Sequence, residues 1–477
     1  MGAGTGHFFG GGGQTDVSLL SLALVIACCV LLLCLPRRYV FVPMLVGSIL
    51  IPLDQQVIWG GIHLTMSRVL ILTGWIRLGQ RRMQTASASN SRWNAIDTIF
   101  LLYGLSNAMM YVLLWGGDTG AIINRAGFLF NAFGTYFFMR YFLTSEGDLE
   151  LASKTLVLVM ALIAVGMIAE QATGRNLLAV IGGLPAKSVL RDGAIRAQGT
   201  FVHPLTAGAA GATLLPLAIG LWWVTGGNRL YAIVGALASI AMGLASRSST
   251  AVLVLAAGFG GLALWRYRRH LRFLRWSIVL ILFVLHMVMK APVWALIARI
   301  DLTGSSSGYH RYILVDRFID RFSEWWLVGT RGTSSWGWDM WDTINSYVAA
   351  GTEGGLVNFA LFITLFVVAF SQLGRARERA IDDPALQRLT WVLGTLLFAH
   401  AVAFFGIAYF DQSQFIWYTE LAMIAAAVTL TPQGVMVEGC EVPSKAMAWS
   451  PWREGPRGES LWPAHDQRYR ADVKESY

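Results

Sequence analysis

The sequence predicts an all-α fold, a polytopic transmembrane helical bundle of 12–13 spans with one large outward-facing loop that contains an amphipathic helix. Three observations predict it. Hydrophobic residues make up 55% of the 477 positions and charged residues only 14%, too little polar surface for a soluble globule of this length. Apolar runs long enough to cross a hydrocarbon core of about 30 Å recur from Val17 to Leu430. The connections between them alternate between clusters of arginine and stretches with no Lys or Arg, as short cytoplasmic and external loops do.

Residues 1–16 form a Gly-rich tail without Lys or Arg, so they lack the basic start of a secretory signal, and Val17–Leu35 is expected to stay as a span. Further spans are expected at 40–57, 63–79, 96–115, 121–143, 154–171, 204–224, 230–245, 249–265, 276–297, 355–372, 389–409 and 414–430. The run at 40–57 is broken by Pro43 and Pro52, and if it is re-entrant the count is twelve. Arg37/Arg38, Arg77/Arg81/Arg82/Arg92, Arg266/Arg268/Arg269/Arg272/Arg275 and Arg375/Arg377/Arg379/Arg388 all fall on one side. The opposite short loops 58–62, 116–120 and 410–413 have no basic residue. This polarity puts segments 172–203 and 298–350 outside, the N-terminus outside and the C-terminus inside.

Residues 17–430 thus read as one membrane domain, and 431–477, mixed in charge and without apolar period, as a disordered cytoplasmic tail. The net charge of +9 resides largely in the orienting loops and implies no nucleic-acid partner. Cys28, Cys29, Cys34 and Cys440 have neither zinc nor redox spacing, and the first three, in one apolar span, read as packing residues. No metal or cofactor is called for. The chain shows no internal duplication, which counts against transporters built from paired repeats.

The longest polar interruption, Arg299 to Gly355, is rich in Arg, Asp, Trp and Gly. From Tyr309 to Trp326, Leu314, Phe318, Phe322 and Trp325 recur at helical spacing with charges on the other faces, which predicts the amphipathic helix. That helix is either a solvated cap or part of a site. Beyond it, Trp336, Trp338 and Trp341 alternate with Gly337, Asp339 and Asp342. They fit an interfacial aromatic belt. They equally fit a sugar platform, with rings stacked on sugar faces and carboxylates on hydroxyls. Arg196, before the span at 204–224, sits at the outer mouth of the bundle as either a phosphate-binding fork or a lipid-facing anchor. Arg247, in the turn Ser246–Thr250, is the exception to the charge rule in a short outer loop.

The order and spacing of R-x-x-G-T-F-x-H-P at Arg196–Pro204, the S-R-S-S-T turn around Arg247, Arg311 early in a large outer loop, and N-x-Y-V-x-x-x-x-E-x-G-L at Asn345–Leu356 resemble the O-antigen ligase and polymerase family. The resemblance covers the first span to the last. It implies a bacterial inner-membrane glycosyltransferase acting outside the cytoplasm on polyprenyl-diphosphate-linked glycans, in O-antigen or exopolysaccharide biosynthesis. A glycan acceptor and membrane lipid are implied as partners, with a flippase and a chain-length regulator as associates. Ligases of the family carry a His immediately before the motif Asn, where this chain has Ile344, and the departure favours a polymerase over a ligase acting on a lipid A core.

The resemblance implies that Arg196, Arg247 and Arg311 stabilise the leaving diphosphate, a task arginine performs without metal. His203, Asn345 and Trp338 complete the substrate-binding set, and Glu353, Asp342 and His310 are the available bases, with Glu353 preferred for its family position. Glu353, Asp342 and Arg311 are thus the expected catalytic residues. The rival is a transporter or flippase for a lipid-linked solute. It would place ionisable groups within the spans, where Arg125, Arg140, His286, Lys290, His400 and Glu420 are few and read as terminal or isolated.

Overall fold

The computed structural model describes residues 16–430 except 60–61, 81–92, 192, 225, 300–306, 339 and 342. The expected tails 1–15 and 431–477 lie outside the described residues. The chain is mostly helical: α1 Leu19–Cys34, α2 Phe41–Leu50, α3 Met66–Gly79, α4 Ala95–Leu114, α5 Thr119–Phe142, α6 Glu146–Thr173, α7 Pro204–Thr213, α8 Leu215–Trp223, α9 Arg229–Ala245 and α10 Ser249–Ala263. These are followed by α11 Leu271–Val288, α12 Ser307–Asp320, α13 Phe322–Trp325, α14 Ser346–Arg379, α15 Pro384–Ala403 and α16 Gln412–Ala427. Six helical stretches are long and apolar enough to cross a membrane: α4, α6, α7–α8, Ser249–Val288, α14 and α15.

Local chemistry sets the helix starts. Asn94 with Asp97, and Ser145 with Asp148, form reciprocal capping boxes. Asp383 caps α15, which has Pro384 in its first turn, where a missing N–H loses no helical bond. Pro216 has the opposite effect: lying inside the apolar run 204–224, it divides that run into α7 and α8 at Leu214.

Successive helices alternate between two ends of the bundle. At one end Arg77 donates to the Leu35 carbonyl, Arg37 to Thr144, Arg388 to the Trp223 carbonyl and Arg379 to the Val428 carbonyl. Arg37, Arg77, Arg379 and Arg388, which the charge pattern assigned to one side, therefore share one end of the fold. At the other end Ser21 donates to the Ile181 carbonyl, Thr200 to the Ile49 carbonyl and Gln412 to the Thr200 carbonyl. Close approach through small residues holds the helices together, as where a Cβ on Gly211 would fall 2.5 Å from Met242 Cβ and one on Gly235 2.7 Å from Ala218 Cβ.

Several boundaries differ from the sequence reading; the helix of the span expected at 276–297 ends at Val288, and Val293–Arg299 is a 3-10 turn. The span expected at 40–57 is helical only over Phe41–Leu50, because Pro52 ends it, and an antiparallel hairpin of β1 Gln56–Trp59 and β2 Ile62–Thr65 takes up the start of the next expected span. A second hairpin, β3 Val189–Arg191 with β4 Ala194–Arg196, lies in the 172–203 segment. Residues 266–275, expected as a basic loop, belong to a 3-10 turn, Leu264–His270, that runs into α11.

The amphipathic helix is present as α12 and α13. Its apolar face packs on the protein: Leu314, Phe318 and Trp325 are buried with Trp336, Met340 and Val348 in a small core of their own. That core rides on a break in α14, where Gly355 has φ +72° and ψ −172°. The Leu356 N–H there turns out to the Trp326 carbonyl at 2.7 Å, and the Thr330 N–H donates to the Thr352 carbonyl at 2.7 Å. Segment 326–330 so replaces helical bonds that the break removes.

Candidate functional site

The site starts from the strand β4 and the loop after it. Glu170, at the end of α6, accepts from the Gln198 and Gly199 N–H groups at 3.1 and 3.0 Å, and Asn176 donates to the Gly199 carbonyl at 2.8 Å. Asp411, ahead of α16, accepts from the Val202 N–H at 3.2 Å and the Thr206 hydroxyl at 2.6 Å. This short polar loop is therefore fixed by side chains from three other parts of the chain. Its residues are spent largely on positioning Arg196 and His203 at its two ends.

Arg196 is tied sideways to the turn that carries Arg247: its Nε donates to the Ser246 carbonyl at 3.1 Å, and the Ala197 N–H donates to the Ala245 carbonyl at 3.1 Å. Arg247 itself holds φ +50°, a left-handed conformation disfavoured for a residue with a side chain. The turn feeds α10, whose N-cap residue Ser248 makes no capping bond. Ser248 is 3% exposed and its Oγ has no partner among the described residues. An uncapped helix start with a buried free hydroxyl favours negative charge.

These elements open on a cavity of about 720 Å³, lined by Arg191, Arg196, Arg247, Arg311 and Arg317, with His203, His310, Ser248, Trp338, Trp341 and Ile344 among its other walls. No carboxylate is among its described lining residues. Arg311, on the inner side of α12, is 5% exposed, and its Nε has no partner among the described residues. Burial, and then the charges of Arg191 and Arg196, push the Arg311 guanidinium down to about 10, which leaves it a cation at neutral pH. Arg196 is lowered for the same reasons, burial first and then Arg191.

His203 accepts the Leu205 N–H on Nδ1 at 3.1 Å, which places its proton on Nε2. Burial, reinforced by Arg196 and Arg191, pushes the ring down to about 4, so at neutral pH it is an uncharged donor beside the cations. Burying cations is costly, and an anion entering this cavity would relieve that cost.

The expected site residues divide. Arg196, His203, Arg247, Arg311 and Trp338 meet at the cavity. Asn345 does not line it: the residue is buried and caps α14, accepting from the Tyr347 and Val348 N–H groups at 2.9 and 3.2 Å. Glu353 does not line it either. Its carboxylate pairs with Arg125 at 3.0 Å, and Arg125 also donates to Asn107 at 2.7 Å and lies over the Tyr111 ring at 3.6 Å. Asp342 lies outside the described residues. His310, the remaining base, lines the cavity.

The three alternating tryptophans also separate. All three line the cavity, but Trp336 is buried, its indole N–H donating to Glu324 at 2.9 Å, whereas Trp338 is 93% exposed and Trp341 66%. Arg191 and Arg317 were missed by the sequence reading. Arg191 comes to the cavity because the β3–β4 hairpin folds it back beside Arg196, and Arg317 because it lies less than two turns after Arg311 in α12. The only early sign was their position in the two outer segments.

Of the ionisable groups expected in the spans, Arg125, Arg140, His400 and Glu420 are paired, not isolated. Arg140 and Asp97 form a buried pair at 3.3 Å with the Tyr136 hydroxyl on the same carboxylate, and buried His400 bridges Glu420 and the Tyr409 hydroxyl. No protein-family model matches the chain, and no curated protein matches it.

Proposed function

We propose that this protein is a multi-pass membrane glycosyltransferase that binds a polyprenyl-diphosphate-linked glycan in the arginine cavity and transfers the glycan to an acceptor hydroxyl. The observation that carries the reading is the convergence of five arginines, with no lining carboxylate among the described residues, on a pocket that includes the uncapped start of α10. A diphosphate matches this chemistry: planar guanidinium forks bind its oxygens in pairs, and the helix start favours its charge. Exposed Trp338 and Trp341 at the same cavity offer apolar faces to sugar rings.

In the proposed step the acceptor hydroxyl oxygen forms a bond to the anomeric carbon, and the bond from that carbon to the phosphate oxygen breaks. The electron pair leaves with the diphosphate, where Arg196, Arg247 and Arg311 stabilise it. The hydroxyl proton passes to a base within reach. Of the two considered bases among the described residues, His310 lines the cavity, while Glu353 is engaged by Arg125. Polymerisation of repeat units in O-antigen or exopolysaccharide synthesis remains preferred to ligation, because Ile344, at the position of the ligase histidine, puts an apolar side chain on the cavity wall. With the arginine-rich end of the bundle in the cytoplasm, the cavity faces outward from the inner membrane.

The His400–Glu420 pair favours a second reading, a flippase in which a buried ionisable pair couples movement to protons. Reconstituted protein given a defined lipid-linked repeat unit decides between them. Longer lipid-linked glycan supports the transferase, and movement of unaltered units across the bilayer supports the flippase.

A further inference from the structure

At the ends of the helices away from the cavity, three tryptophans from three helical segments stack edge to face. Trp223 meets Trp265 at 5.0 Å and 86°, and Trp265 meets Trp391 at 5.5 Å and 77°. Trp391 is fixed by donating its indole N–H to the Gly261 carbonyl at 3.0 Å. Arginines cover this stack. The Arg268 guanidinium lies 4.2 Å from the centre of the Trp265 ring and that of Arg377 5.4 Å from Trp391, while Arg388 donates to the Trp223 carbonyl at 3.1 Å. Among the described residues Arg268 donates one N–H, to the Trp265 carbonyl, and Arg377 donates no guanidinium N–H but accepts at its carbonyl from Gln387. Among the described residues none of these three arginines forms an ion pair, although Glu378 adjoins Arg377 in sequence.

Two further facts define what fits there. His203 and Ser249 line the cavity, and the helices they begin end at Trp223 and Ala263, so the cluster lies about 22–30 Å away, the thickness of a hydrocarbon core. From the same place α11 rises with none of its residues buried and with apolar side chains on every face: Phe273 is 75% exposed and Phe283 61%. From Leu264 to Val288 the chain has no Asp or Glu.

We propose that the Trp223–Trp265–Trp391 stack with Arg268 and Arg377 is a binding site for the headgroup of an anionic phospholipid of the leaflet opposite the cavity, whose acyl chains lie along α11. The arginines supply donors to the phosphate, and the indoles supply the amphipathic surface that suits the headgroup level. A free phosphate would satisfy the arginines but leave the apolar wall of α11 uncovered. The inference does not depend on the glycan chemistry at the other end.

The test uses the full-length protein reconstituted in vesicles of equal phosphatidylglycerol and phosphatidylcholine, then read by native mass spectrometry. Phosphatidylglycerol is expected to be retained preferentially, and R268Q/R377Q should reduce that preference about twenty-five-fold, about fivefold per arginine. A second measurement needs no variant: phosphatidylglycerol should raise the thermal midpoint of the wild-type protein more than phosphatidylcholine or inorganic phosphate does. Equal retention of both lipids, an unchanged preference in the double variant, or an equal thermal shift from inorganic phosphate would each overturn the proposal.

Discussion

Arg196 donates through Nε to the carbonyl of Ser246 at 3.1 Å, so the loop before α7 and the turn before α10 are joined at the point where each delivers an arginine. The bond uses one edge of the Arg196 guanidinium and directs the other toward the cavity it shares with Arg247 and Arg311. Two segments about fifty residues apart act as one cationic wall.

Lysine at these positions keeps the charge and loses the fork. R196K also loses the splint to Ser246, since a lysine has no Nε donor in that geometry. Each of R196K, R247K and R311K is expected to lower polymer formation by about 10²-fold or more while the protein still accumulates in the membrane. Near-normal polymer from all three would leave the arginines as lipid anchors.

His310 and Glu353 should behave differently. H310Q is expected to reduce turnover by about 10²–10⁴-fold with little change in lipid-linked substrate binding. E353Q breaks the pair with Arg125, and because that carboxylate is 44% exposed the coupling should be about 1 kcal/mol or less in a double-mutant cycle on stability. If E353Q instead abolished turnover with stability and binding intact, the base would have to be Glu353.

His203 gives the fold a pH dependence of known sign. Its folded value of about 4 lies below the ordinary 6.5, so the unfolded chain takes up a proton first as pH falls. The His203 contribution is fully present above pH 6.5 and is lost progressively toward pH 4. Thermal midpoints measured across that window should fall for the wild type and fall less steeply for H203N, where an amide replaces the ring. Parallel curves for the two proteins would remove His203 as the source.

Gly329 and Gly355 hold φ +98° and +72°, and a Cβ on either would lie 2.3 Å from the Thr352 carbonyl oxygen or 2.4 Å from that of Leu327. Backbone cannot move aside as a side chain can. G329A and G355A are each expected to destabilise by about 2–3 kcal/mol or more, seen as a lowered thermal midpoint and loss of monodisperse protein. Wild-type midpoints would mean that the break in α14 is dispensable.

Composition and apolar periodicity by themselves determined that this protein is a bundle of apolar helices, because helices satisfy their own backbone groups and announce themselves in every turn. The charge pattern also grouped Arg37, Arg77, Arg379 and Arg388, which share one end of the fold. Arg196, Arg247 and Arg311 were legible as outer-segment cations. Tertiary structure alone decided that they converge, that Arg191 and Arg317 join them, and that Glu353 faces Arg125. It also decided that Trp336 is core while Trp338 and Trp341, two and five residues on, stay exposed. The reason is physical: a helix or a charge rule is set by neighbours in sequence, whereas a cavity is made by segments far apart in the chain, and contacts such as Arg196 with Ser246 leave no local periodic trace.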